Sequence, residues 1–341
     1  DALPISVEDT NINSKDYRSI EAEASIEGSV LVVYQDGHWR ALPLYSGAYE
    51  KRFADAVNYV YHNTGVGVNV YVMPCPLATQ FYLPSNYEGY SADEEEVFQK
   101  MAPDFDEGVV AIDIIDVLQN HNEENIYLRT DHHWTTLGAY YASREFAKAA
   151  GVPFAALDTY TEYVNEGYVG TMYAFTESAN ILNDPENFYY YVPTNAYTVD
   201  YYNEAFEYQF TMGLFWETSL DYSYGMFIGG DYYICRVTTD VDNDRVLLVV
   251  KDSYGNAEIP FYTNSFHQIY VIDQRYFDLN LVNFCYSQGV TDILFTYNYY
   301  SFSDGEVDML EDIVYGNYDV YYYDDAPEPV LPDKGNNAQE D

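Results

Sequence analysis

The chain has 341 residues, in which 14 Lys and Arg stand against 56 Asp and Glu, for a net charge of −42. So few cations leave no basic face for a nucleic-acid backbone or an anionic lipid surface, which argues against both as partners. Disorder is ruled out as the reason for the charge, because 48% of residues are hydrophobic and 41 Tyr and 18 Phe supply a sizeable core.

In chain order, residues 49–62 carry Phe53, Ala54, Val57, Val60 and Tyr61 at core spacing and predict a helix. Five short apolar runs rich in β-branched residues follow, at 68–73, 109–114, 246–250, 268–272 and 293–297. Near-continuous apolar strands indicate a sheet buried on both faces. Helical patterns lie between them, at 92–101 with acids in the first turn, 135–150 stopped by Gly151, 279–287 and 306–314. Strands alternating with helices predict an α/β fold around a five-stranded parallel sheet. Residues 154–236 break that rhythm with Tyr-rich segments such as Tyr189-Tyr190-Tyr191, and read as an inserted, mainly β lid or subdomain. The organisation expected is one domain over residues 1–323 and an acidic, Pro/Gly-rich, disordered tail over 324–341.

Cys75, Cys235 and Cys285 are an odd number, far apart and without C-x-x-C spacing, so neither a disulfide framework nor a zinc knuckle is indicated. No apolar run reaches 18 residues, so no membrane insertion is expected. No basic region with an apolar stretch opens the chain. Asp1-Ala2-Leu3-Pro4 looks like a mature or truncated start. The Tyr load suits an extracellular or cell-surface protein handling carbohydrate, since Tyr offers sugars an apolar face and a hydroxyl. A general acidic surface for solubility fits the same composition.

Two segments could carry chemistry. In Arg129-Thr130-Asp131-His132-His133-Trp134-Thr135, an Asp two residues before a His can set its carboxylate against Nδ1–H and orient the ring. A capped helix start beside a packed Trp explains the same residues. A metal-dependent site at His132 and His133 is the weakest reading, because adjacent histidines point apart and no H-x-x-x-H pattern supports them. In Val250-Lys251-Asp252-Ser253-Tyr254-Gly255-Asn256, Ser253 follows a buried strand in a tight turn, where neighbouring amides can bind an oxyanion. Lys251 stands where a G-x-S-x-G elbow needs Gly, and an N-capping Ser is the plain alternative. Asp240-Val241-Asp242-Asn243-Asp244 begins like a calcium loop, but Arg245 and Lys251 occupy the positions that need Gly and Glu.

Taken together, Asp131-His132-His133-Trp134 and Lys251-Asp252-Ser253-Tyr254-Gly255-Asn256 resemble the DHHW protein family. Val72-Met73-Pro74, Gly229-Gly230-Asp231 and Ile272-Asp273-Gln274-Arg275-Tyr276 extend the match. That family is similar to the SGNH-hydrolase-like domains of alginate O-acetylation proteins. The resemblance implies a three-layer α/β/α fold and a catalytic triad of Ser253, His133 and Asp131. The activity implied is that of an O-acetyltransferase or acetylesterase, working on polysaccharide without a cofactor or metal. A non-catalytic carbohydrate-binding or assembly protein on the same fold is the alternative. SGNH hydrolases meet their Ser first and their acid and His last, so the motif order here is circularly permuted. Position then assigns Asn298 to the oxyanion hole. Arg275 would hold an anionic or carbonyl group or pair with Asp273. Tyr254, His132 and Trp134 join the expected substrate site, with Trp134 flooring a sugar subsite or packing in the core.

Overall fold

The computed structural model describes residues 13–316, and the tail expected over 324–341 lies outside the described residues. Three strands come first: β1 (Ala24–Glu27), β2 (Val30–Gln35) and β3 (His38–Pro43), forming an antiparallel sheet of their own. This sheet is not among the predicted elements, although Val30, Leu31, Val32 and Val33 form a buried apolar run, joined by the buried Ala41 and Leu42 of β3.

The central sheet is built from β4 (Asn69–Cys75), β5 (Val109–Ala111), β8 (Tyr197–Tyr202), β9 (Tyr208–Met212), β10 (Ile234–Thr239), β11 (Val246–Lys251), β12 (Gln268–Asp273) and β13 (Asp292–Asn298). Between β5 and β8, β6 (Thr161–Tyr168) and β7 (Glu186–Val192) pair only with each other. The sheet order is β5-β4-β13-β11-β12-β10-β8-β9. The first five are mutually parallel and coincide with the five predicted runs. The expectation of a five-stranded sheet is corrected to eight, because the Tyr-rich region adds β10, β8 and β9 as antiparallel strands on the β12 edge. β5 is also shorter than its apolar run, since Asp113 accepts from Ile115 N at 2.9 Å and turns the chain into helix Ile115–Gln119.

Counted from β11, the parallel strands lie in the order 2-1-3-4-5, that of a doubly wound sheet which this chain enters at the fourth strand, β4. The two faces are covered by different helices. Tyr71 pairs with Leu294 across β4 and β13, whereas Tyr297 lies three residues on and points to the opposite face. Tyr71 packs on Phe146 of helix Thr136–Ala150, and Tyr297 packs on Phe53 of helix Arg52–Asn63. Helix Arg52–Asn63 is joined there by Leu281–Gln288 and Asp304–Tyr315. This is the three-layer, SGNH-hydrolase-like arrangement with permuted chain order.

Cys75, Cys235 and Cys285 are buried and unpaired. Among the described residues, no helix is long and apolar enough to cross a membrane.

Candidate active site

β11 is apolar up to Lys251, and Asp252 then stops it. The Asp252 carboxylate accepts from Tyr254 N at 2.9 Å and opens the short 3-10 turn Ser253–Ala257. Its other oxygen accepts from Asn298 N and Nδ2, both at 2.7 Å, and from Ser301 Oγ at 2.8 Å. One carboxylate therefore ties the Ser turn to the end of β13. Gly255 is required in this turn, because a Cβ there would sit 2.7 Å from the Lys251 Cβ. Ser253 is thus held at the carboxyl end of β11, where the strand order reverses and ligands of such sheets bind.

The second segment is presented as a loop. Tyr127 and Trp134 form an isolated antiparallel bridge, and Leu128 N donates to His133 O at 3.2 Å, so residues 129–132 project from a closed base. Thr135 then caps helix Thr136–Ala150 through Gly138 N. Trp134 is fully buried and donates Nε1–H to Tyr254 O at 3.0 Å, while the Tyr254 hydroxyl donates to His132 O. These bonds lace the loop to the Ser turn.

His133 Nε2 lies 2.8 Å from Ser253 Oγ, and His133 Nδ1 lies 2.7 Å from Asp131 Oδ1. Asp131 Oδ1 also accepts from His133 N at 3.1 Å. Its other oxygen is held by residues that follow the loop: the Tyr168 hydroxyl at 2.6 Å, Thr171 N at 2.9 Å and Thr171 Oγ1 at 3.1 Å. Gly170 makes this possible, since a Cβ there would meet Asp131 Oδ2 at 2.4 Å. Burial alone would raise the Asp131 pKa. The charge and hydrogen bond of His133, with His132 and Tyr168, outweigh burial and hold the carboxyl well below its ordinary value. Because Thr171 Oγ1 donates to Asp131, its lone pair takes the His132 Nδ1–H at 2.8 Å. Burial, then the neighbouring His133, lowers the His132 pKa to about 3, so His132 is neutral at working pH.

Ser253, His133 and Asp131 are therefore brought together in one hydrogen-bonded line. His132 and Arg275 also face the cleft of about 240 Å³ in front of it. Arg275 pairs with Asp273 at 2.6 Å and with Asp231 at 2.9 Å, so salt bridge and cleft position coexist. Three expectations are corrected. Asn298 is not brought to the cleft, because its side chain is bound to Asp252. Trp134 floors no subsite, being fully buried behind the Ser turn. Tyr254 offers a ligand neither hydroxyl nor amide, both being bonded within the protein. The turn's oxyanion donors narrow as well, because Tyr254 N and Gly255 N are bonded to Asp252.

Sequence reasoning missed Tyr168, Thr171, Tyr224, Asp231 and Asn256. All but Asn256 belong to the Tyr-rich region. Tyr224 stacks on His133 and donates its hydroxyl to Ser253 O and Tyr254 O, each at 3.1 Å. Asp231 accepts from Asn256 Nδ2 at 3.0 Å and faces the buried Lys251 at 3.5 Å. The Gly229-Gly230-Asp231 motif was the available signal. Nothing in the sequence marks which of 41 tyrosines turn inward.

Donor atoms of Asp131, His132 and His133 lie within 4.8 Å of one another, as a metal site would need. They are directed instead at one another, at Thr171 and at Ser253. The arrangement can deprotonate a hydroxyl, orient the base that does so and stabilise the resulting imidazolium.

Fold and site define an SGNH-hydrolase-like α/β protein with a Ser-His-Asp line at the carboxyl edge of its sheet. The family model described as DHHW protein matches residues 10–272, and this chain belongs to that family. A crystal structure of a DHHW family protein from Eubacterium siraeum is 39% identical, with TM-score 0.83, covering 86% of this chain and 99% of that one. Bacillus cereus PatB1, solved with a sulfonyl adduct, is 19% identical with TM-score 0.69, covering 84% of this chain and 99% of that one. The O-acetyltransferase domain of Pseudomonas putida AlgJ is 13% identical with TM-score 0.45, covering 86% and 99%. No curated protein matches the chain in sequence.

Proposed function

We propose that this chain is a serine O-acetyltransferase or acetylesterase acting on extracellular or cell-surface polysaccharide through an acetyl-serine intermediate. The observation that carries the reading is the 2.8 Å contact between Ser253 Oγ and His133 Nε2, with Asp131 on the far side of the ring. In the first step His133 removes the Ser253 proton as Oγ attacks the acetyl carbonyl. The oxyanion meets the Ser253 N–H, and His133 returns the proton to the departing alkoxide. In the second step His133 deprotonates an incoming hydroxyl, which takes the acetyl group and frees Ser253. A sugar hydroxyl makes the reaction a transfer and water makes it a hydrolysis, so exclusion of water decides the outcome. Among the described residues, the 154–236 insertion then belongs to the same domain as the rest and completes the site.

The test is intact-mass detection of an acetyl adduct after reaction with p-nitrophenyl acetate, comparing wild type with Ser253→Ala. An adduct of one acetyl group on wild type alone supports the reading. A sulfonyl fluoride, a reagent for activated nucleophiles, is expected to label wild type and spare Ser253→Ala. Two equally unmodified proteins would sink the acyl-enzyme mechanism.

A further inference from the structure

We infer that the polyhydroxyl ligand of this cleft is an uncharged glycan, not a uronate or other anionic polymer. This deepens the proposed function and rests on it for the identity of the site. The first observation concerns charge. The cleft holds two carboxylates, Asp131 and Asp231, and its one lining Arg is Arg275. Arg275 binds Asp273 through Nε at 2.8 Å and Nη2 at 2.6 Å, and reaches Asp231 at 2.9 Å. The nearby Lys251 is fully buried, 3.0 Å from Asp273 and 3.5 Å from Asp231. Both cations are therefore matched by carboxylates already present, inside a chain of net charge −42. An acidic polymer would bring one further negative charge per sugar into that field.

The second observation concerns hydrogen-bond polarity. Asn256 is 1% exposed and lines the cleft, and its Oδ1 has no hydrogen-bond partner. Its Nδ2 is held by Asp231, which fixes the amide so that the oxygen is the group left over. Asp231 itself can only accept. These groups call for a donor, so a sugar hydroxyl fits beside them, whereas a uronate's carboxylate, which can only accept, has no place there.

The third observation is the rim. Tyr222 lines the cleft yet remains 54% exposed, and Tyr233 and Tyr276, at 40% and 42%, meet edge to face with centroids 6.1 Å apart. Tyr276 also packs under the Arg275 guanidinium. Exposed aromatic faces beside a polar cleft suit the apolar faces of pyranose rings.

The experiment is calorimetric binding to the wild-type chain without any acyl donor, so that no turnover is needed. The probes are cello-, xylo- and manno-hexaose against oligogalacturonate of the same length, at low and high salt. At least one neutral hexaose is expected to bind with a salt-independent Kd. The uronate is expected to bind at least about tenfold more weakly at low salt, where the acidic field is least screened. Tyr222→Ala, a change at an exposed position, is expected to weaken the neutral ligand by about tenfold. Equal or tighter binding of the uronate at low salt, or binding of none of the neutral hexaoses, overturns the inference. An acetyl adduct on Ser253 together with uronate preference sinks this inference alone, whereas neutral binding without any adduct sinks the catalytic reading alone.

Discussion

Tyr224 lies flat against His133, with ring centroids 3.7 Å apart and planes 8° from parallel. The Tyr ring thus walls one face of the imidazole while its hydroxyl anchors to the Ser253 and Tyr254 carbonyls. Such a contact limits rotation of the ring that must reach Ser253 Oγ, and stacking of this kind is worth about 1 kcal/mol. Tyr224→Leu is expected to lower kcat about tenfold with little change in KM for a small ester. Tyr224→Phe keeps the ring and should recover most of that loss. Steady-state kinetics of the two variants check this, and equal losses would assign the effect to the hydroxyl instead.

Asp131 accepts three hydrogen bonds from Tyr168 and Thr171 besides orienting His133, which predicts two separable effects. Asp131→Asn should cut kcat by about 10⁴-fold, as expected when the imidazole loses its correct tautomer. Tyr168→Phe removes one donor from the carboxylate. The Asp131 pKa then moves up toward its ordinary value, because a hydrogen bond to its charged form is lost and the orienting carboxylate is protonated at higher pH. The acid limb of the kcat/KM profile is therefore expected to shift to higher pH. An unmoved limb with lower activity would mean that Tyr168 only packs.

The legible parts of this protein were those with strong local signals. The five parallel strands announced themselves as apolar runs, and Asp131, His133 and Ser253 sit in motifs with a chemical reason for their spacing. Asn298 was placed by analogy of position, and the geometry gave its amide to Asp252 instead. Trp134 could be read as core or as sugar platform, and its indole N–H found a backbone carbonyl behind the Ser turn. β8, β9 and β10 are hidden because Thr, Asp, Arg and Gln interrupt their apolar residues, so they lack the continuous apolar pattern of the parallel strands. Tyr168, Thr171 and Tyr224 act through contacts between distant parts of the chain, which no local pattern encodes.

His132 and His133 are adjacent, yet their environments separate them. His132 is neutral, with its Nδ1–H on Thr171 and a pKa lowered to about 3 by burial and by His133. His133→Ala is expected to reduce kcat by about 10³-fold or more. His132→Ala should cost no more than about tenfold, through a looser Thr171 and Asp131, and leave the acid limb of the pH profile where it is. Comparable losses in the two variants, measured on the same ester, would reassign the base.

Glu258 supplies a prediction about stability. It is fully buried behind the Ser turn, with its carboxyl between Thr296 Oγ1 at 2.7 Å and the Tyr262 hydroxyl at 2.5 Å. Burial pushes its pKa up to about 8, against an ordinary value of 4.5. Between those values the folded protein holds a proton that the unfolded chain has released, so stability falls as pH rises from about 5 to 8. The loss attributable to this group is on the order of 1 kcal/mol per pH unit. Below the unfolded value both states are protonated and the effect vanishes. Glu258→Gln keeps the shape and cannot ionise, so its Tm should fall less steeply than that of wild type over this window. At pH 8 the variant should be the more stable of the two. Thermal denaturation of both proteins at pH 5, 6.5 and 8 checks this, and parallel curves would show that Glu258 is ionised in the folded protein.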